Sequence, residues 1–376
     1  MLKLLIQFIV IGCVFALNSF AVIAAEIALL DEADVVVTSR ATNERQVALK
    51  QALSTVFIKN SGLTSVLEHP LIKSHINKPE SLLTQYGYSQ VDDELVLKAN
   101  FDHKRIISAL REAELPVWGR QRPSTLLWMS IENAGDRAIL ADAAESDIRT
   151  QIDLDANNKG IPILLPVMDL DDVMQVNVSD VRGMFADVVA NASKRYQADY
   201  FAMADIDQVG GFVRFNVALF DKGNASGVMQ PLINHQAEVA DYEQATDEIL
   251  TRLAGYFVSQ YAFADSGNSA QTKLTLVGVQ TMAQLVDIEA YLTQLSAIKS
   301  VSLSQFKADI VTYNLSLFGD ASDLEKLLSI NKRLTQIDTV NTVVPPNLNA
   351  GQENSINNVD PNLDSETTVS LIYQWH

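Results

Sequence analysis

The sequence predicts a mixed α/β and α+β protein built of three modules, and three observations predict it. Its 376 residues exceed what a single hydrophobic core organises. Strand-like alternation and helix-like three-and-four spacing of apolar residues trade places along most of the chain. Two breaks interrupt that periodicity, one rich in Pro and Gly around Trp118 and one rich in Gly, Ser and Asn around Gly267. A hydrophobic content of 48% with 20% charged residues fits packed modules and excludes wholesale disorder.

Residues 26–118 form the first expected module, a small α+β unit. Val35-Val36-Val37 reads as a strand. A helix follows from Glu44 to Lys59, with Leu49, Leu53, Val56 and Phe57 on one stripe and Asn43 as its cap. A second helical stretch spans Leu71 to Leu83. Glu94 to Phe101 alternates as a strand, and Asp102 to Glu114 is amphipathic through Ile106, Ile107 and Leu110.

The second module, residues 123–264, is expected to be Rossmann-like α/β with a hairpin. Strand Thr125–Ile131, helix Arg137–Ile152, strand Ile161–Met168 and helix Val181–Tyr196 alternate, which predicts a mainly parallel sheet covered by helices. Tyr200–Ile206 and Phe212–Phe220 flank Gly210-Gly211 as a hairpin. Tyr242–Tyr261 closes the module as a helix through Ile249, Leu253 and Phe257.

Residues 271–376 make the third module, read as ferredoxin-like βαββαβ. Lys273–Val279 is its first strand. Thr281 and Gln284 form a capping box for a helix carrying Leu285, Ile288, Leu292 and Leu295. Strands Val301–Leu303 and Ile310–Phe318 follow, Ser322 to Glu325 opens the second helix, and Thr368–Trp375 is the last strand. The Asn-, Pro- and Asp-rich stretch 345–365 reads as a disordered insertion before it.

The first 25 residues read as an export leader. Lys3 supplies the positive start, Leu4 to Val14 the apolar stretch, and Val22-Ile23-Ala24-Ala25 a small-residue cleavage site. Retention as an uncleaved anchor is the alternative, because Leu4 to Ala25 is long enough to span a bilayer. Val10-Ile11-Gly12-Cys13 also resembles a lipobox, although cleavage there would leave a second apolar run on the mature chain. Cleavage after Ala24 or Ala25 yields a periplasmic chain without a transmembrane helix. Cys13 is the only cysteine, so the mature part lacks thiol nucleophiles and cysteine-based zinc sites. The net charge of −18 disfavours nucleic acid and anionic lipid as generic partners.

At the first break stands Leu115-Pro116-Val117-Trp118-Gly119, then Arg122-Pro123 and the strand Leu126-Leu127-Trp128. With Arg45–Phe57 and Phe101–Leu110 upstream, these residues resemble DUF2066, an exported proteobacterial family of unknown function. That resemblance implies export and carries no activity, cofactor or catalytic residue. In the second module, Leu219-Phe220-Asp221 with Gly227 beyond is similar to the amino-terminal domain of the Tol system's periplasmic propeller protein. The exported flagellar assembly protein T has a similar layout. Both likenesses imply scaffolding or assembly.

Candidate sites are few, and each has a plain structural reading beside the functional one. Glu132, Asp169, Asp171, Asp172, Asp205 and Asp207 follow or end strands of the second module, where open α/β sheets form ligand crevices. They are candidate ligands for Mg²⁺ or Ca²⁺, or else helix caps and solvated loop ends. Asp153-Leu154-Asp155 begins like a calcium loop, but Asn158 and Leu164 stand where Gly and Glu belong, leaving a polar turn. Lys104, Arg105, Arg111, Arg120 and Arg122 concentrate positive charge near Trp118 and Trp128. Such a group meets an acidic partner or lipid phosphate, or it is a helix face and an intermodule seam. The five histidines are scattered, and phosphate loops, dinucleotide fingerprints and nucleophile elbows are absent.

No catalytic residue and no cofactor are therefore expected. The leading expectation is a non-catalytic protein that binds unidentified envelope proteins, with homo-oligomers allowed. The rivals are a cell-wall hydrolase using the strand-end carboxylates and a small-ligand sensor in the third module.

Overall fold

A computed structural model describes residues 30–91, 93–133, 136–222, 229–265, 267, 270–330, 333–337 and 370–376. The leader with Cys13, Gly227 and the stretch 345–365 lie outside the described residues. The fold is mixed α and β, with four sheets among the described residues.

The amino-terminal sheet is antiparallel. It contains β1 (Glu32–Val37), β2 (Leu83–Val91) and β3 (Glu94–Phe101) in the order β1-β3-β2. Helices α1 (Thr42–Ser61), α2 (Pro70–Asn77) and α3 (His103–Glu112) accompany it. The Leu49, Leu53, Val56 and Phe57 stripe of α1 is fully buried with Leu97, Phe101, Ile106 and Leu110. Ala41, not Asn43, precedes the first turn, and Ala41 offers no capping side chain. Glu44 in the first turn instead ties the helix start to the preceding segment, accepting from the Thr38 and Ser39 hydroxyls. Asp102, by contrast, caps α3 through the Arg105 N–H. β4 (Val117–Trp118) leads out of this unit.

The central sheet has the order β10-β9-β8-β5-β6, with β7 beside β5. Its strands are β5 (Thr125–Asn133), β6 (Asp136–Ile139), β7 (Ile163–Leu164), β8 (Tyr200–Val209), β9 (Phe212–Asp221) and β10 (Ile233–Val239). Its helices are α4 (Asp147–Lys159), α5 (Leu170–Gln175), α6 (Val178–Arg182), α7 (Ala186–Ser193) and α8 (Tyr242–Tyr261). Only β5–β8 and β5–β7 are parallel, so the expectation of a mainly parallel sheet is corrected to a mixed one. Arg137 lies on β6, antiparallel to β5, rather than on a helix. Asp153–Asn158 belong to α4, not to a turn. The hairpin around Gly210-Gly211 forms as its sequence indicates.

Both faces of this sheet are covered. Leu126, Trp128, Phe201, Met203 and Phe220 pack with Val181 and Val189. On the other face Leu127, Met129, Ile206 and Phe215 pack with Leu253 and Phe257, in a cluster continuous with the carboxy-terminal core. β11 (Ala262–Phe263) pairs with β4 and brings the chain back to its first break.

The carboxy-terminal sheet runs β13-β14-β12-β16-β15. Its strands are β12 (Gln271–Val277), β13 (Ile298–Lys307), β14 (Ile310–Leu317), β15 (Leu334–Gln336) and β16 (Ser370–Trp375), with helices α9 (Met282–Gln294) and α10 (Ala321–Ile330). Thr281 and Gln284 make the expected capping box. The βαββαβ expectation needs one correction. A crossover through α10 must deliver a strand parallel to β14 and hence antiparallel to β12. β16 is parallel to β12, whereas the short β15 has the required direction. β15 thus has the expected direction but lies at the edge of the sheet, because the terminal strand β16 takes the position beside β12 in the opposite direction. No helix among the described residues is long and apolar enough to cross a membrane.

Candidate functional site

The six candidate carboxylates fall into two groups, each organised by an arginine. Register places Glu132 of β5 directly opposite Arg137 of β6, and β8 runs alongside with Asp205 and Asp207. Arg137 binds Glu132 at 3.1 Å, Asp205 at 3.4 Å and Asp207. Arg182 of α6 also lies 3.5 Å from Asp205. The cluster is partly open to solvent, and its centre is already occupied by a guanidinium. That is where a metal ion would have to sit.

Asp169, Asp171 and Asp172 form the second group. Asp169 caps α5 through the Asp172 N–H and holds Arg195 through two bonds, at 2.6 and 2.7 Å. That pairing holds its carboxyl well below the usual range, at about 2. Asp172 is fully buried and accepts from the Met168 N–H, from Arg195 and from the Tyr196 hydroxyl. Burial and this carboxylate together push the Tyr196 hydroxyl up beyond its ordinary value. Asp171 is exposed, 4.0 Å from Arg195. Among the described residues no group of three or more His, Cys, Asp or Glu side chains could hold a metal ion.

The basic group divides. Lys104, Arg105 and Arg120 are exposed. Arg122 and Arg111 point inward. Arg122 is 6% exposed and donates to four carbonyls: Gly119 at 2.9 Å, Gly160 at 2.6 Å, Lys59 at 2.6 Å and Trp118 at 2.9 Å. Its guanidinium also stacks on the buried Trp118 ring, 4.0 Å from the centroid. Lys59 sits in the last turn of α1 and Gly160 caps α4, so the cation faces the negative ends of two helix dipoles. Burial lowers the guanidinium to about 9, which leaves it charged at neutral pH.

The helix ends are cut to fit this seam. Gly62 and Gly160 end α1 and α4 in the left-handed region, at φ 77° and 67°. A Cβ at Gly160 would overlap the Arg122 guanidinium, and one at Gly62 would overlap Val258. Lys59 adds a second buried cation, bonded to the Glu32 carbonyl at 2.8 Å and Asn157 at 3.1 Å. Arg111 ties α3 to the carboxy-terminal half through the Phe263 and Ser296 carbonyls and lies 3.7 Å over the Phe318 ring. Trp118 and Arg122 therefore face the interior of the chain. Trp128 is also buried, bonded to Ser193 at 2.9 Å.

Two cavities lie elsewhere. One, of about 470 Å³, is lined by Asp199, Tyr200, Asp221, Tyr261 and Ile330, with the two tyrosine hydroxyls 2.7 Å apart. The other, of about 340 Å³, is lined by Gln151, Asp155, Glu243, Asp247 and Glu248. None of the six candidate carboxylates lines either. Sequence reasoning also missed an apolar face on the central unit. Val167, Leu170, Val173, Met174, Phe185 and Val188 are exposed, Leu170 by 74% and Met174 by 76%. Leu170, Val173 and Met174 share one face of α5 by helical spacing, and α5 contacts α7 through Gln175 and Asn191. The signal was available as an apolar residue on the supposedly outer positions of very short helices.

Residues 24–119 match the family model described as Domain of unknown function (DUF8605), and residues 270–351 match the model DUF2066. The DUF2066 match thus falls on the carboxy-terminal sheet rather than on the first break and the residues upstream of it, where a different model matches. No curated protein matches the chain. Among solved structures, a formyltetrahydrofolate deformylase from Pseudomonas putida KT2440 is 9% identical and covers 55% of this chain and 95% of its own. Its TM-score is 0.19, from which nothing about fold or activity follows.

Proposed function

We propose that this is a non-catalytic protein of three modules, exported to the periplasm, that binds another envelope protein through the apolar face of α5–α7. The observation that carries the reading is that face itself. Leu170, Val173 and Met174 stand in solvent on one face of α5, with Val167, Phe185 and Val188 exposed nearby in the chain, and exposed apolar surface of this kind marks an interaction site. The strand-end carboxylates, the best residues for a cell-wall hydrolase, are engaged by Arg137 and Arg195 and line neither cavity.

Affinity capture from envelope extracts tests this, comparing the wild type with the double substitution Leu170→Glu and Met174→Glu. The wild type is expected to retain a reproducible partner that the variant loses at unchanged melting temperature. Equal capture by both, or a deletion strain that accumulates a specific metabolite, would overturn the proposal.

A further inference from the structure

A sheet edge presents unpaired N–H and C=O groups, and proteins blunt such edges with bulges, unpaired charged side chains (lysine above all), proline, short strands or covering groups. Most edges of this molecule carry one of these devices. β13 has two register shifts and ends in Lys307. β15 and β6 have only three and four residues. β2 has a register shift and carries Gly87 at its middle. On β1 the Asp31 carbonyl faces β3, accepting the Phe101 N–H, so those of Leu30 and Glu32 face the open side. There Asn60 and Lys59 donate to them, at 2.7 and 2.8 Å.

β10 differs. It pairs with β9 over seven consecutive residues without a register shift, β9 is its one strand neighbour among the described residues, it contains no Lys, Arg or Pro, and its one carboxylate, Glu238, is paired with Arg214 of β9 at 2.7 Å. We infer that β10 pairs antiparallel with β10 of a second copy of this chain, across a two-fold axis at Gln236, and joins two central sheets into one.

The side chains carry the choice of occupant, because β10 is complementary to itself in that register. On the face toward α8, Ile233 of one copy meets Val239 of the other, and His235 meets Ala237. On the opposite, exposed face, Asn234 meets Glu238, Gln236 meets Gln236, and the exposed Leu232 meets Ala240. No like charges oppose and both faces keep their polarity, which is what a stable cross-strand ladder requires. The same operation on β13 about Leu303 would set Lys299 against Lys307. This surface is separate from the α5–α7 face, so the inference stands or falls apart from the proposed function.

The test uses the chain as cells produce it, in a Cys13→Ser background so that an introduced cysteine is the only thiol. Directly opposed residues in an antiparallel pair have Cα atoms about 4.5–5.5 Å apart, within disulfide reach. Sedimentation velocity over a concentration series is expected to show a dimer, weakened about fivefold or more by Gln236→Lys, which opposes two cations at the axis. Mild oxidation is expected to join Gln236→Cys copies covalently and to leave Asn234→Cys copies unjoined. A monomer at every concentration would overturn the inference. So would a dimer indifferent to Gln236→Lys, or one in which Asn234→Cys cross-links as readily as Gln236→Cys.

Discussion

Arg122 and Arg137 hold their surroundings together by opposite means. Arg137 gathers three carboxylates at a half-open sheet edge, a charge-for-charge arrangement in which water screens each pair. Arg122 is buried without any carboxylate and spends all its bonds on neutral carbonyls, two of them at helix carboxyl ends. An isolated cation in such a place is tolerated only if oriented dipoles replace its lost hydration. A salt-bridge cluster can therefore be dismantled piecemeal, whereas the seam around Arg122 has no spare member.

Breaking the seam should have the largest effect. Arg122→Met leaves four carbonyls without their donor and should cost about 3–5 kcal/mol, on the scale of removing one partner from a buried charged network. Arg122→Lys should recover less than half, because one ammonium cannot reproduce the planar fork. Urea denaturation measures both. A single unshifted transition in Arg122→Met would show that the seam contributes little.

Lys59 sharpens the same contrast through pH. Burial lowers its ammonium from 10.5 to about 8. Between those values the unfolded chain binds the proton and the folded chain does not, so stability attributable to Lys59 rises with pH from about 8 upward. Above pH 10 the buried tyrosines Tyr200 and Tyr261, whose ionisation burial raises, act in the opposite direction. Wild type should thus gain about 2 kcal/mol over Lys59→Met between pH 8 and 10. Parallel stability curves for the two proteins would remove Lys59 from the seam.

On the other side of the comparison, Arg137→Met should cost about 1–2 kcal/mol, leaving three acids facing one another. Adding Asp207→Asn should return part of that loss by removing one of the repelling charges. Additive effects in the double variant would mean that the cluster is a set of independent surface pairs.

Local rules rendered much of this fold readable. The Gly210-Gly211 hairpin and the Thr281 capping box depend on neighbouring residues, and both form where their residues indicate. Where tertiary packing decides, the reading failed. α4 buries only Ile152, Asp155 and Ala156, so its polar pattern resembles a turn. β15 is three residues long, too short for any period, yet it has the direction expected of the terminal strand. The seam was hidden because backbone carbonyls leave no mark in sequence. Its one legible trace is a lysine-then-glycine ending on two helices, Lys59 to Gly62 and Lys159-Gly160. The pairing of acids with Arg137 and Arg195 required strand register and loop path, which composition does not contain.

The smallest effect expected bounds the comparison from below. Asp171 shares the first turn of α5 with Asp172, beside the capping Asp169, yet it is three-quarters exposed and 4.0 Å from an arginine that two closer carboxylates already hold. A charge in that position gains little Coulomb energy and loses most of it to solvent. Asp171→Asn should change stability by less than about 0.5 kcal/mol. The difference in urea midpoint between Asp171→Asn and wild type should also stay fixed as salt is raised, because there is no pair energy to screen. A larger loss, or one that disappears in high salt, would mean that Arg195 depends on all three acids, and its site would then resemble the Arg137 cluster rather than a capped helix end.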